Sequence, residues 1–89
     1  MKARLIKVDG EVTEVKPKNG KYFLLTELQK YVGGYIQMVR THDNKVMVVN
    51  EEGKLMDLPF NVVATKEYVH GSHDPICGDV LICSENQIK

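Results

Sequence analysis

The chain has 89 residues, twelve cationic and twelve anionic side chains, and an apolar fraction of 43%. A chain of this size and composition folds around one modest core, so we expect a single domain over residues 1–89. The zero net charge argues against an acidic mimic of nucleic acid and against strong non-specific binding to phosphates. We therefore do not expect nucleic acid as the main partner.

No segment approaches the roughly 20 apolar residues that a membrane-spanning helix needs. The N-terminal apolar run, Leu5-Ile6, is too short for a secretory signal. Cys77 and Cys83 flank a segment that, if extended, would hold their Cα atoms too far apart for a disulfide. We therefore expect a cytoplasmic protein that does not contact a membrane.

The first part of the chain predicts a hairpin followed by a helix. Residues 2–8 and 11–16 are strands joined at Asp9-Gly10, a pair that readily supplies positive φ at a tight turn. Residues 24–32 have apolar side chains at helical spacing. We expect Gly33-Gly34 to end this helix, because glycine adopts the left-handed C′ conformation with little strain.

The middle of the chain predicts three strands. Residues 35–40 and 45–50 form an antiparallel pair. The run Val46 to Val49 lacks polar alternation, so we expect its strand to be covered on both faces, at the centre of the sheet. Residues 54–58 are a short third strand, which Pro59 ends.

The last part predicts a second helix and a final strand. Asn61 is a suitable N-cap for a helix over residues 62–69. Residues 76–83 are a strand that bends at Gly78, and residues 84–89 are a polar C-terminal tail. The turn and cap positions predicted along the whole chain are Gly10, Gly33, Gly34, Asn50, Gly53, Asn61, Asp74, Pro75, Gly78 and Asp79.

The predicted order of elements is β-β-α-β-β-β-α-β. It indicates an α+β domain with a mostly antiparallel sheet of five to six strands and two short helices. The antiparallel pairs follow from the local turns between consecutive strands. The chain has no internal repeat or low-complexity segment that would indicate a linker.

The segment HGSHDPICGDVLIC, residues 70–83, holds two of the three histidines and both cysteines. His70, His73 and Cys77 could supply three metal ligands, or Cys77 and His73 a nucleophile with its base. However, the neighbours His73 and Asp74 would point to opposite faces of an extended chain, and free cysteine is often a small buried apolar residue. We favour a turn that leads into a core strand, and we expect no catalytic residue, metal or cofactor.

A basic loop precedes two aromatic residues. Lys16, Lys18 and Lys21, followed by Tyr22-Phe23, could bind nucleic acid through phosphate contacts and base stacking. Residues 1–30 carry seven cationic and four anionic side chains, which gives this part of the chain an excess of positive charge. We favour a solvated loop beside two core aromatics, because no arginine cluster accompanies it.

Four segments occur in a recognisable order and spacing: LQKYVGGYI (28–36), VVNEEGKL (48–55), the pattern Leu58-Pro59-x-Asn61-x-x-Ala64-Thr65, and DPICGDVLI (74–82). Together they resemble the DUF3846 family of domains of unknown function over residues 23–83. The resemblance implies a small stand-alone domain found in bacteriophages, plasmids and bacterial genomes, and it implies no activity. The chain departs from the family at Cys77 and Cys83, where apolar residues are usual, and at Leu24, where a Ser or Thr cap is usual.

These observations favour a non-enzymatic protein-binding accessory module of a bacterial or phage mobile element. We expect an unknown protein partner, with a homodimer as one form of the contact. Two alternatives stay open at this stage. One is a weak nucleic-acid binder that uses loop 16–21, and the other is a small metal-dependent or cysteine enzyme centred on residues 70–83.

Overall fold

The computed structural model describes residues 3–88, which form a five-stranded antiparallel sheet with one α-helix on each face. The elements in chain order are β1 (Ala3–Ile6), β2 (Val12–Val15), α1 (Leu25–Val32), β3 (Ile36–Arg40), β4 (Val46–Asn50), α2 (Val62–Glu67), β5 (Val80–Cys83) and a 3-10 helix (Glu85–Gln87). The strands lie side by side in the order β2-β1-β5-β4-β3. This confirms the predicted α+β class, the antiparallel pairing and the two helices.

β4 and β5 lie inside the sheet, and every residue of both strands is buried. A strand covered on both faces has no solvent-facing positions, so it needs no polar alternation. The prediction for Val46 to Val49 is confirmed in this respect. The central position, however, belongs to β5, which pairs with β1 on one side and with β4 on the other.

The two faces of the sheet form two apolar clusters. On one face, α1 contributes Leu28 and Val32, and the sheet contributes Ala3, Val46, Val48, Leu81 and Cys83. On the other face, α2 and the residues after it contribute Ala64, Tyr68 and Ile76, and the sheet contributes Ile6, Met47, Val49, Val80 and Ile82. Since successive side chains on a strand alternate between faces, the all-apolar strands serve both clusters at once.

α1 begins at Leu25 although Leu24, at its N-cap, has no side-chain acceptor. Glu27 satisfies the start of the helix instead. Its carboxylate accepts hydrogen bonds from the backbone N–H of Leu24 and of Lys18, both at 3.2 Å, and it is 7% exposed. This is one half of a capping box, and it also fastens the 16–21 loop to the helix.

The N-cap of α2 is Asn61, whose Oδ1 accepts a hydrogen bond from Ala64 N at 3.0 Å. The Nδ2 group of the same side chain donates to the carbonyl oxygens of Ile6 (3.0 Å) and Gly78 (2.9 Å). The helix ends at Glu67, two residues before the predicted end. Asn61 thus joins the start of α2 to β1 and to the chain that leads into β5.

The predicted strand over residues 54–58 is wrong, because residues 51–57 form consecutive turns. Local hydrogen bonds satisfy this backbone, with Gly53 N donating to Asn50 O at 3.2 Å and Met56 N donating to Glu52 O at 2.9 Å. Leu55 and Met56 are adjacent apolar residues, and both side chains are exposed. The apolar pattern of residues 54–58 therefore does not correspond to a strand.

The last strand is shorter than predicted, and the segment after it is folded. Gly78 has φ +94°, which separates β5 from an isolated antiparallel bridge between Phe60 and Cys77. The segment expected as a polar tail contains the 3-10 helix, and Ile88 forms a parallel bridge with Phe23 and packs against the α1-side core. Within residues 3–88, no helix has the length and apolar character to cross a membrane.

Candidate protein-binding edge

β3 lies at one edge of the sheet and pairs with β4 on its inner side. Glu51 N donates to Tyr35 O at 2.9 Å and Thr41 N donates to Lys45 O at 3.1 Å, so the odd-numbered residues bond inward. In an antiparallel ladder, the residues between them direct both N–H and C=O away from the neighbouring strand. Ile36 and Met38 therefore each present one donor and one acceptor at the outer edge.

The far end of β3 is closed by the chain that follows α2. Val69 N donates to Arg40 O at 3.0 Å, and His42 N donates to Glu67 O at 2.9 Å, on either side of a bridge between Thr41 and Tyr68. Covering an edge in this way limits strand addition. The part of β3 that stays accessible is residues 36–38, which we call the open edge.

Several exposed apolar side chains surround the open edge. The exposed fractions are 66% for Tyr35, 45% for Met38, 85% for Leu55 and 49% for Met56. Tyr35 and Met56 border one surface depression, while Leu55 borders a second depression together with residues of β3. Single exposed apolar residues are common, but a group of them around an accessible strand edge is typical of an interaction surface.

A groove of about 370 Å³ lies on the α2 side of β3. Its apolar lining comes from Val39, Val49, Tyr68, Pro75 and Ile76, and Gln37 of the open edge also borders it. Lys54 and Asp74, which form an ion pair, lie at the same groove. The hydrogen bond with Asp74 raises the pKa of Lys54.

The structure does not bring the predicted metal ligands together. His70 packs edge-on against Tyr68, with ring centroids 5.7 Å apart, and His73 Nδ1 lies 2.9 Å from Ser72 Oγ. Cys77 is half-buried in its bridge with Phe60. In the part of the chain that the structure describes, no three His, Cys, Asp or Glu side chains form a group that could hold a metal ion.

The Cys–His arrangement is also unassembled. The Asp74 carboxylate pairs with the Lys54 ammonium, so it does not orient His73 as a catalytic base would require. Cys83 points into the α1-side core, where burial raises the pKa of its thiol to about 11. A protonated, buried thiol is a poor nucleophile.

The basic loop is exposed at Lys16, Lys18 and Lys21. Asn19 Oδ1 shapes it by accepting hydrogen bonds from Lys21 N (2.8 Å) and Tyr22 N (2.9 Å). Phe23, one of the two aromatics that could have stacked on bases, is 1% exposed and belongs to the core. Phe23 therefore cannot stack on a base beside these lysines, as the nucleic-acid hypothesis requires.

Other predicted turn and cap residues connect neighbouring elements of the fold. Asn50 Nδ2 donates to Val32 O at 3.1 Å, which ties the end of α1 to β4. Asp79 Oδ1 accepts a hydrogen bond from Val8 N at 3.0 Å, which connects the chain before β5 to the chain after β1. Gly53 lies so close to Cys77 that a Cβ there would stand 2.7 Å from its carbonyl oxygen.

The open edge was not predicted from the sequence, because an edge is a property of strand order. Residues 35–40 were recognised as a strand, yet nothing local distinguishes an outer strand from an inner one. One signal was present. β3 contains Gln37 and Arg40 among its apolar residues, whereas the inner strands β4 and β5 have continuous apolar runs.

These features define a class: a small α+β domain with a helix on each face of an antiparallel sheet, whose β3 edge is partly covered by the chain after α2. The family model described as Domain of unknown function (DUF3846) matches residues 1–88, so the chain belongs to the DUF3846 family. This confirms the resemblance seen over residues 23–83 and extends it to the N-terminal hairpin. Neither the comparison with curated proteins nor the comparison with solved structures gives a match.

Proposed function

We propose that this domain is a non-enzymatic protein-binding accessory module and that the open edge of β3 is its contact surface. A protein partner supplies an extended segment, which pairs with Ile36 and Met38 as a sixth strand. The observation that carries the proposal is the pair of outward-directed backbone donors and acceptors at residues 36–38, beside an apolar groove.

Strand addition would use two kinds of contact. Backbone hydrogen bonds to Ile36 and Met38 supply affinity that does not depend on the partner's sequence. Alternate side chains of the added strand would lie over the groove, where Val39, Tyr68 and Ile76 favour apolar groups. We therefore expect a partner segment with apolar residues at every second position.

The non-enzymatic part of the proposal is supported by the pairing of Asp74 with Lys54 and by the edge-on packing of His70 on Tyr68. Both interactions occupy groups that a catalytic or metal site at residues 70–83 would need. The setting that we propose is the cytoplasm of a cell that carries a bacterial or phage mobile element. It is supported by the resemblance of the chain to domains of phages, plasmids and bacterial genomes, and neighbouring genes of ordinary metabolism would contradict it.

Selection from a library of displayed random peptides, against immobilised protein, tests the proposal. Selected peptides should bind the wild type and lose binding to Met38→Pro, because proline removes the outward N–H that a sixth strand would use. The substitution is compatible with the fold because the N–H of Met38 is not part of the β3–β4 ladder.

Val12→Pro is the matched control. Lys7 N donates to Glu11 O at 2.9 Å, so the register of β1 and β2 directs the N–H of Val12 outward at the opposite edge of the sheet. Peptides that bind both proline variants equally would show that they use another surface. Failure to select any peptide that depends on Met38 would overturn the open edge as the contact surface for a foreign partner.

A further inference from the structure

We infer that in the free protein the open edge pairs with the open edge of a second copy of this chain, forming a two-fold antiparallel dimer. The inference rests on the proposed function because it places an occupant on the same surface. It is carried by the self-complementary pattern of backbone groups and side chains along residues 35–39.

One antiparallel register aligns both outward-directed residues of both copies. In that register Ile36 of each copy lies opposite Met38 of the other, and the two-fold axis passes beside Gln37. The N–H and C=O groups of Ile36 and Met38 then form four hydrogen bonds between the copies. If the register is shifted by two residues, either Ile36 or Met38 of each copy no longer lies opposite an outward-directed residue of the open edge.

The side chains in this register are compatible on both faces of the sheet. On the α1 side, Ile36 of each copy lies opposite Met38 of the other copy, so the two-fold axis generates two apolar pairs. On the groove side, the two Gln37 side chains face each other, and each amide can donate and accept. No like charges stand directly opposite, which is the arrangement that destabilises cross-strand pairs.

Tyr35 gives the contact a further component. Continued by one residue, the register brings it opposite Val39 of the second copy, and in the single chain it borders the depression that Gly33 and Met56 also line. Its side chain is 66% exposed in the single chain. In the dimer, part of this exposed ring would be buried against the second copy beside its Val39.

The pairing ends at the same place in both copies. Gly34 of one copy comes opposite Arg40 of the other, where Val69 already occupies the edge through its hydrogen bond to Arg40 O. The ladder therefore stops after residues 36–38, and the assembly closes with two copies. An interface of this length is small, so we expect a weak dimer whose population depends on concentration.

Disulfide trapping tests the register. Gln37→Cys, in a Cys77→Ser background, should form a covalent dimer under mild oxidation, because the two Gln37 positions form a directly opposed pair with Cα atoms about 4.5 Å apart. Met38→Cys in the same background is the matched control. Its two thiols would sit on diagonal positions about 7–8 Å apart, so trapping should be at least about tenfold slower.

Sedimentation analysis of the unmodified assembly provides the second measurement. Wild type and Val12→Pro should show the same concentration-dependent dimer, and Met38→Pro should raise its dissociation constant about 10- to 30-fold, because two intermolecular hydrogen bonds are lost. A peptide selected on the open edge should also dissociate the dimer.

Three results would overturn the dimer: a wild type that stays monomeric at high concentration, equal trapping of Gln37→Cys and Met38→Cys, or a dimer that Met38→Pro does not weaken. None of these results alone removes the proposed function, because peptide binding that depends on Met38 would stand without the dimer. Conversely, Gln37→Cys could be trapped as a dimer while no selected peptide depends on Met38. That result would support the dimer and would contradict binding of a foreign partner at the open edge.

Discussion

Asn61 satisfies three backbone groups from a position that is 0% exposed. Its side chain accepts from Ala64 N and donates to the carbonyl oxygens of Ile6 and Gly78. A buried carbonyl that loses its donor cannot turn to water, so the loss is larger than that of an exposed hydrogen bond. One amide therefore holds together three segments that are far apart in sequence.

Asn61→Ala should lower the free energy of unfolding by about 3 kcal/mol, from the lost N-cap and two buried carbonyls left without donors. Asn19→Ala is the control, because Asn19 also accepts two backbone hydrogen bonds but is exposed, and it should cost about 1 kcal/mol or less. Urea denaturation measures both. Equal effects would show that the buried contacts of Asn61 add nothing.

The two cysteine thiols should differ sharply in reactivity. A thiol reagent added to native protein at neutral pH should label Cys77, which is half-buried, and leave Cys83 unlabelled until the protein is denatured. Rapid labelling of both thiols in the folded state would contradict the burial of Cys83. Mass spectrometry of labelled peptides identifies which residue has reacted.

Cys83 should also contribute to the pH dependence of stability. Its pKa is raised from 9.0 to about 11 by burial, so the unfolded chain loses this proton at lower pH than the folded chain. The contribution is therefore present below about pH 9 and is lost as the pH rises toward 11. Unfolding curves of wild type should decline more steeply over this range than those of Cys83→Ala, and parallel curves would contradict the assignment.

At the scale of elements, Gly78 controls how the chain enters β5. It has φ +94°, and a Cβ at this position would stand 2.8 Å from Leu58 Cδ1. Gly10 has the same φ, but a Cβ there meets nothing within 4 Å. The two glycines thus share a backbone conformation and differ in crowding.

Gly10→Ala should therefore reduce the free energy of unfolding by about 1 kcal/mol, the usual cost of positive φ for alanine. Gly78→Ala should reduce it by about 2 kcal/mol more, because the new methyl group displaces Leu58. Leu58→Ala added to Gly78→Ala should recover part of that difference. Equal losses at the two glycines would contradict the role of crowding.

The elements also show which structural features can be predicted from a single sequence. The turn at Asp9-Gly10, the spacing of Leu25, Leu28 and Val32, and the continuous apolar run of β4 are local signals, and each led to an element that forms. Residues 54–58 have the apolar pattern of a short strand, but most of them belong to the turns over 51–57, whose backbone groups bond locally. Which strand would be outermost depended on β5 entering between β1 and β4, which is a long-range event with no local signature.

At the scale of the whole molecule, hydrogen exchange should follow the strand order. Amides of β4 and β5 have partners on both sides and should exchange only on global unfolding. The amides of Met38 and Val12 point outward from the two edges and should exchange quickly in dilute solution. At high concentration, Met38 should gain protection while Val12 does not, and equal behaviour of the two amides would contradict pairing through β3.

The hydrogen bond from Val69 to Arg40 has a consequence for solubility. Without it, the accessible edge would grow from residues 36–38 toward the full five residues of β3, next to the strongly strand-forming run of β4. A long, flat, apolar edge is the template on which chains stack into fibrils. The segment at the end of α2 thus keeps the accessible edge of β3 short, which limits one route to fibril formation.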